Sequence, residues 1–123
     1  MAKIVTYEIK SAANTPKKYP LLRLEVADNF VSRFCGLMLR KDIGEADGLL
    51  LSPCNSIHMC FMRFALDIVY LDDEGRVIRI VPHLRPWLGL SLCLKASAVI
   101  ELSAGRAAEL GLTAGNRLSP VPN

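Results

Sequence analysis

The sequence predicts one mainly β domain, arranged as an antiparallel two-sheet sandwich or a partly open barrel with two short helices. Many short segments alternate between polar and apolar residues, and turn-forming residues separate them. Helical spacing occurs in only two segments, both short, which disfavours helical and βαβ folds. A chain of 123 residues with 51% hydrophobic residues can bury a core without metals or disulfides. We therefore interpret residues 1–123 as a single domain.

The N-terminal half is predicted to contain four extended segments and one helix. Alternation with period two predicts strands at Lys3–Ile9 and Leu21–Val26, with a loop between them. A capping Asp begins a helix of about two turns over 28–34. The short apolar run Gly48–Leu51 is predicted to be a buried strand, and Ser56–Phe61 resumes extended structure.

A hairpin is the clearest local prediction in the C-terminal half. Leu66–Leu71 and Arg76–Val81 are rich in Ile, Val and Tyr, and they flank the turn composition of Asp72–Gly75. Over Leu88–Leu94 every even position is Leu and the odd positions are small, which predicts a strand with a packed leucine face and a second face close to backbone or ligand. The remaining predicted elements are a strand, a helix and a strand, at Ser97–Leu102, Ala104–Leu110 and Arg117–Val121.

Charge and composition exclude several function classes. The 15 basic and 12 acidic residues leave a net charge of +3 that is scattered along the chain, so we expect no nucleic-acid binding. No apolar run approaches the ~20 residues of a membrane span. The first ten residues lack the apolar core of a secretory signal, so we expect a cytoplasmic protein. The four cysteines form no C-x-x-C pair, and we expect free, mostly buried thiols.

Three sequence blocks stand out together. They are Arg33-Phe-Cys-Gly-Leu-Met-Leu-Arg40, Ser56-Ile-His-Met-Cys-Phe-Met-Arg-Phe-Ala-Leu-Asp67 and Val99-Ile-Glu-Leu-Ser-Ala-Gly105. In this order and spacing the chain resembles the bacterial and archaeal domain-of-unknown-function family 192, over about residues 22–118, in its His-containing branch. The resemblance implies a mainly β, sandwich-like fold and no established activity. The Asp that usually follows the late glycine in this family is Asn116 here.

Charged residues interrupt apolar segments at Arg33, Arg40, Arg63, Asp67 and Glu101. A carboxylate inside a buried strand is costly unless it is paired or hydrogen-bonded, and Arg offers a planar fork suited to it. These residues therefore form either a set of structural ion pairs or part of a binding site, and we favour the structural interpretation.

Soft metal ligands are also grouped in the sequence. Cys54, His58, Cys60 and Met62 are side chains that copper(I) or zinc would accept. On an extended strand His58 and Cys60 would lie about 7 Å apart, but Cys54 would lie about 13 Å from His58. We therefore expect a packed strand rather than a metal site or a Cys-His nucleophile, and we expect no cofactor.

An aromatic and cationic loop is the third candidate. The segment Pro82–Trp87 combines rigid turns with His83, Arg85 and Trp87, and Trp and Arg are frequent binding anchors. The alternative is that Trp87 closes one end of the core.

Three function hypotheses follow. The first is a non-catalytic binding or accessory module, a monomer or weak homodimer, with a concave face that receives a small polar ligand or a peptide. Its candidate ligand-binding residues are Arg33, Arg40, His58, Met62, Arg63, Asp67, Trp87 and Glu101. The second is a metal-dependent or hydrolase-like enzyme that uses His58 with Asp67 or Glu101. The third is an assembly factor whose apolar strand Leu88–Leu94 is exposed and pairs with another chain.

Overall fold

A computed structural model describes residues 3–11, 20–27, 46–59 and 62–122. The chain is mainly β there, as predicted. Its elements, in chain order, are strands β1 (Lys3–Lys10), β2 (Leu21–Ala27), β3 (Gly48–Leu51), β4 (Ser56–His58), β5 (Leu66–Leu71), β6 (Val77–Leu84), β7 (Leu90–Leu92) and β8 (Ala98–Ser103), helix α1 (Arg106–Glu109) and strand β9 (Arg117–Pro120). Among these residues, no helix is long and apolar enough to cross a membrane.

Seven strands form one curled sheet in the order β6-β5-β8-β3-β2-β1-β9. Its two edge strands meet at one end, where the Val77 N–H donates to the Asn116 carbonyl over 2.7 Å and the Leu118 N–H donates to the Gly75 carbonyl over 2.8 Å. The architecture is therefore a partly open barrel. The predicted antiparallel arrangement is wrong at one place, because β2 and β3 pair in parallel. The long connection over 28–47 permits this, since parallel neighbours need a crossover.

A second, two-stranded sheet of β4 and β7 packs on the outside of the curled sheet. The curled sheet encloses one apolar core, which includes Leu24, Leu50 and Ile100. A second core lies between the two sheets and includes Ile57 of β4 and Tyr70 of β5. Within the described ranges the second sheet has two strands, so the two sheets are unequal and this part of the chain is a curled sheet with a small second sheet packed on it.

Strands β3, β5 and β8 are buried along nearly their whole length, with only Ser103 exposed. Their side chains alternate between the two cores, so that Ile100 enters the first core and Val99 the second. This explains their continuous apolar sequences. Polar side chains within these strands therefore need partners inside the protein.

Most local predictions agree with the structure. The β5–β6 hairpin is confirmed, and the Asp72 carboxylate accepts the N–H groups of Glu74 and Arg76 at its turn. The second predicted helix is present but shorter, at Arg106–Glu109. One helix occurs in the described ranges rather than the two expected, and the other predicted helix, over 28–34, lies outside them.

Candidate functional site

The predicted site residues are distributed over different surroundings. Arg33, Arg40 and Cys60 lie outside the described residues, as does the side chain of His58. Arg63 is exposed, in the bend that precedes β5. Met62 is 2% exposed and belongs to the second core. Glu101 is 4% exposed and lies on β8 opposite Leu49 of β3.

The Asp67 carboxylate joins three parts of the fold. Its Oδ1 accepts the His83 N–H, and its Oδ2 accepts the N–H groups of Gly105 and Ala107, each over 3.0 Å. The side chain is buried, at 1% exposure. The first-turn N–H groups of a helix have no partners within the helix, so a carboxylate from β5 that accepts them caps α1 from another element. The Asp67 carboxylate therefore has a structural role: it holds β5, the end of β6 and the start of α1 together.

Asn116 holds the turn before β9. It is buried, and its side-chain oxygen accepts the Thr113 N–H over 2.9 Å while its carbonyl accepts the Val77 N–H. The oxygen of an Asp at this position could accept the same Thr113 N–H. Asn116 therefore keeps the side-chain oxygen that accepts the Thr113 N–H in this turn, although the family usually has Asp at this position.

The predicted metal ligands are only partly described. The Cys54 thiol is partly buried and donates to the Ser56 carbonyl over 3.2 Å. Among the described residues, no three His, Cys, Asp or Glu side chains lie close enough together to hold a metal. Because Cys60 and the His58 side chain fall outside that set, the expectation that Cys54, His58 and Cys60 do not form a metal site stays a prediction.

Gly89, which precedes β7, and Ser91 within β7 face the second core. The Tyr70 hydroxyl donates to the Ser91 hydroxyl over 2.7 Å in the second core. A Cβ added at Gly89 would lie 2.7 Å from Met59 Cγ and 2.5 Å from the Arg85 carbonyl oxygen. Only small side chains fit this interface. The expectation that the small face lies close to backbone is confirmed.

The leucine face of the same segment points into solvent. The exposed fractions are 83% for Leu88, 77% for Leu90, 52% for Leu92 and 77% for Leu94. The prediction that this face packs is wrong, because the opposite face already fits against Met59 and Tyr70 and side chains alternate along a strand. The alternative, an exposed Leu88–Leu94 segment, is confirmed. We call these four leucines, together with Trp87, the leucine surface.

Trp87 is presented by an uncommon backbone turn. Its φ is 67°, in the left-handed region, and it is 55% exposed. Its N–H donates to the Met59 carbonyl over 2.6 Å, and the Leu88 N–H donates to the Pro86 carbonyl over 2.8 Å. A bulky residue at positive φ is a rare conformation that costs on the order of 1–3 kcal/mol and is concentrated at functional sites. Because Trp87 is more than half exposed, the alternative interpretation, in which its side chain closes one end of the core, is not supported.

High pH provides a test of the burial of Tyr70. Burial raises the pKa of Tyr70 above 10.0, although the hydrogen bond with Ser91 lowers it in part, and burial also raises the pKa of Tyr7. The unfolded chain then loses these protons at a lower pH than the folded protein does. The free energy of unfolding is therefore expected to fall as pH rises above 10. Urea unfolding at a series of pH values should show this fall, with a shallower slope in Tyr70→Phe. An equal slope in both proteins would contradict the burial of Tyr70.

Comparison with known proteins places the chain in a family. Residues 11–120 match the family DUF192, described as an uncharacterized ACR. A UPF0127 protein of Pyrococcus furiosus is 33% identical over 102 residues, which are 79% of this chain and 87% of that protein.

Two crystal structures share the fold. A protein of unknown function from Novosphingobium aromaticivorans has a TM-score of 0.80 at 24% identity, covering 94% of this chain and 84% of the other. A protein described as a proposed transcription regulator, from Sinorhizobium meliloti, has a TM-score of 0.85 at 22% identity, covering 97% and 95% of the two chains. At such identities the likeness concerns fold alone. Because the family match extends over most of the chain, this protein belongs to the DUF192 family, a family of unknown function.

Proposed function

We propose that the protein is a non-catalytic binding module that docks onto an apolar partner through the leucine surface. The observation that carries this proposal is the exposure of five large apolar side chains within the segment Trp87–Leu94, each by more than half. Together they present on the order of 600 Å² of apolar surface, the upper range for the largest patch on a soluble monomer. Patches of this size commonly mark interaction sites.

The way in which β7 is anchored supports docking by its face rather than by its edge. The Cys93 N–H donates to the Asn55 carbonyl, so the odd residues of β7 direct their backbone groups toward β4. The backbone groups of Leu90 and Leu92 then face the other edge, where the Arg79 guanidinium donates to the Leu92 carbonyl over 3.3 Å. An added strand would have to displace Arg79. The leucine side chains themselves stand clear of the sheet.

The polar alternatives receive less support from the described residues. A polar ligand near His58, Arg63, Asp67 and Trp87, or an enzyme that pairs His58 with Asp67 or Glu101, needs available carboxylates. Both oxygens of Asp67 accept backbone N–H groups. A depression of about 400 Å³ at one end of the curled sheet is lined by Tyr7 and Asp72, but Leu24 and Ile100 beneath it have no exposed surface. The floor of this depression is therefore packed core, which offers no polar group to a ligand.

Site-specific photocrosslinking tests the docking role. A photoreactive phenylalanine analogue at Leu90, 77% exposed, is expected to crosslink in its host cells to a protein, a lipid or a second copy. The matched control is the same analogue at Leu21, which is 55% exposed on β2, away from the leucine surface. We expect crosslinked product at position 90 at several times the yield at position 21. Equal yields at the two positions would refute a docking role for this surface.

A further inference from the structure

We propose that the partner of the leucine surface is an anionic phospholipid membrane, onto which the protein docks peripherally. This inference rests on the proposed function and names its partner. Three properties of the surface carry it: the sign of the surrounding charge, the protrusion of the leucines and the position of Trp87.

In the described sequence that surrounds the leucine surface, from residue 75 to residue 100, every Asp, Glu, Lys or Arg position is basic. Between Glu74 and Glu101 the sequence contains four basic residues and no acidic one. Three of the basic residues adjoin the surface and are exposed: Arg79, which donates to the Leu92 carbonyl; Arg85, whose carbonyl accepts the Gly89 N–H; and Lys95, which follows Leu94. Cations that border an exposed apolar patch complement the negative surface potential of anionic lipids.

The shape of the surface fits a fluid partner better than a folded one. Leu88, Leu90 and Leu94 are each more than three-quarters exposed, so they project from the sheet instead of lining a groove. A protein partner would need a preformed pocket for each projecting side chain. Fluid acyl chains can surround the projecting leucine side chains without a preformed pocket. Trp87 at the adjoining turn suits the boundary between headgroups and acyl chains, because its indole combines an apolar body with a polar N–H.

A second copy of this chain is the less favoured partner. Two leucine surfaces packed face to face would bring Arg79, Arg85 and Lys95 of both copies together, and like charges oppose association. The apolar area of on the order of 600 Å² per copy is also below the roughly 800 Å² per partner of a standard stable interface.

Vesicle co-sedimentation of the full chain tests the inference. The protein is expected to bind phosphatidylcholine vesicles that contain phosphatidylglycerol, and to bind pure phosphatidylcholine vesicles at least tenfold more weakly. The variant Leu88→Ser/Leu90→Ser should weaken binding by about a hundredfold, because two leucines lose their insertion. Leu21→Ser, the same substitution at one exposed leucine elsewhere, should have no effect.

Removal of cations tests the electrostatic part separately. Arg85→Ala/Lys95→Ala should weaken binding by about thirtyfold at low salt and by less at high salt, since each cation near an anionic surface contributes about a fivefold factor. Arg76→Ala is the control. The backbone of Arg76 pairs with that of Arg117 where the two edge strands meet, so this substitution removes a cation that is not among the three next to the leucine surface. Circular dichroism verifies that all variants are folded.

The outcomes separate this inference from the proposed function. Vesicle binding that depends on the leucines and the cations supports both. If vesicles do not bind, but ultracentrifugation shows a dimer that Leu88→Ser/Leu90→Ser dissociates, or crosslinks at position 90 lead to another protein, the membrane inference is wrong and the docking role holds. If neither vesicle binding, dimerisation nor crosslinking depends on the leucines, both are wrong.

Discussion

Asp67→Ala is expected to lower the free energy of unfolding by about 4 kcal/mol, which is among the largest losses a single substitution causes. The substitution leaves three N–H groups, those of His83, Gly105 and Ala107, without their acceptor in a buried setting. It also removes the cap that connects α1 to β5. Urea unfolding followed by circular dichroism measures the change.

Two control variants make this result specific. Asp73→Ala removes an exposed carboxylate at the tip of the β5–β6 turn, and Arg63→Ala removes an exposed cation that the sequence grouped with Asp67. Both should change stability by less than about 0.5 kcal/mol, the usual range for surface substitutions. If Asp67→Ala changes the free energy of unfolding as little as these controls do, the hydrogen bonds of Asp67 do not stabilise the fold. A ligand-binding role for Asp67 would then be favoured.

Gly89→Ala is expected to lower the free energy of unfolding by about 3 kcal/mol, because a methyl group has no room in the turn just before β7. The added Cβ would lie 2.5 Å from the Arg85 carbonyl oxygen and 2.7 Å from both Leu84 Cγ and Met59 Cγ. The backbone oxygen cannot rotate away as a flexible side chain can. Thermal and urea unfolding both measure this loss, and the displaced β7 should also reduce crosslinking at Leu90.

Gly111→Ala provides the matched comparison. Gly111 has a φ of 68°, and an added Cβ there would meet nothing within 4 Å, so its substitution tests backbone conformation alone. A cost of about 1 kcal/mol is expected for that change. If Gly89→Ala costs no more than Gly111→Ala, the close approach of β7 to the barrel is wrong.

Local sequence patterns predict most of the strands. Period-two alternation locates β1 and β2, and the Ile, Val and Tyr content on both sides of the Asp72–Gly75 turn locates the β5–β6 hairpin, each within a few residues. The parallel pairing of β2 with β3 has no local signature, since register depends on partners that are distant in sequence. The contact of Asp67 with Gly105 and Ala107 likewise joins residues about forty positions apart.

The leucine surface shows the limit of periodicity as evidence. Alternation over Leu88–Leu94 correctly sorted the residues into two faces, but it cannot state which face is buried. Leucine is usually the buried member of such a pair. Here Ser91 is buried and Gly89 is partly buried, because Met59 and Tyr70 already fill the space beneath them. The small residues that alternate with the leucines were the sequence feature that could have indicated the buried face, because only small side chains fit against a closely packed neighbour.

The partners of Asp67 show which part of a polar site the sequence predicts. Asp67 in an apolar strand did indicate a buried carboxylate that needs partners. The sequence suggested cationic side chains for that role, whereas the observed donors are backbone N–H groups, whose positions depend on the tertiary fold.

The position of β1 between β2 and β9 has a consequence for biosynthesis. The β1 segment is translated before the other described strands, yet Tyr7 and Ile9 pair with Pro120 and Leu118, which are translated more than 100 residues later. One edge of β1 therefore has no native neighbour while most of the protein is being made. Unpaired strand edges are where nascent chains associate wrongly, and non-local pairing slows folding. The barrel therefore cannot close until residues 117–120 have been made, and until then this edge of β1 is open to pairing with other strands.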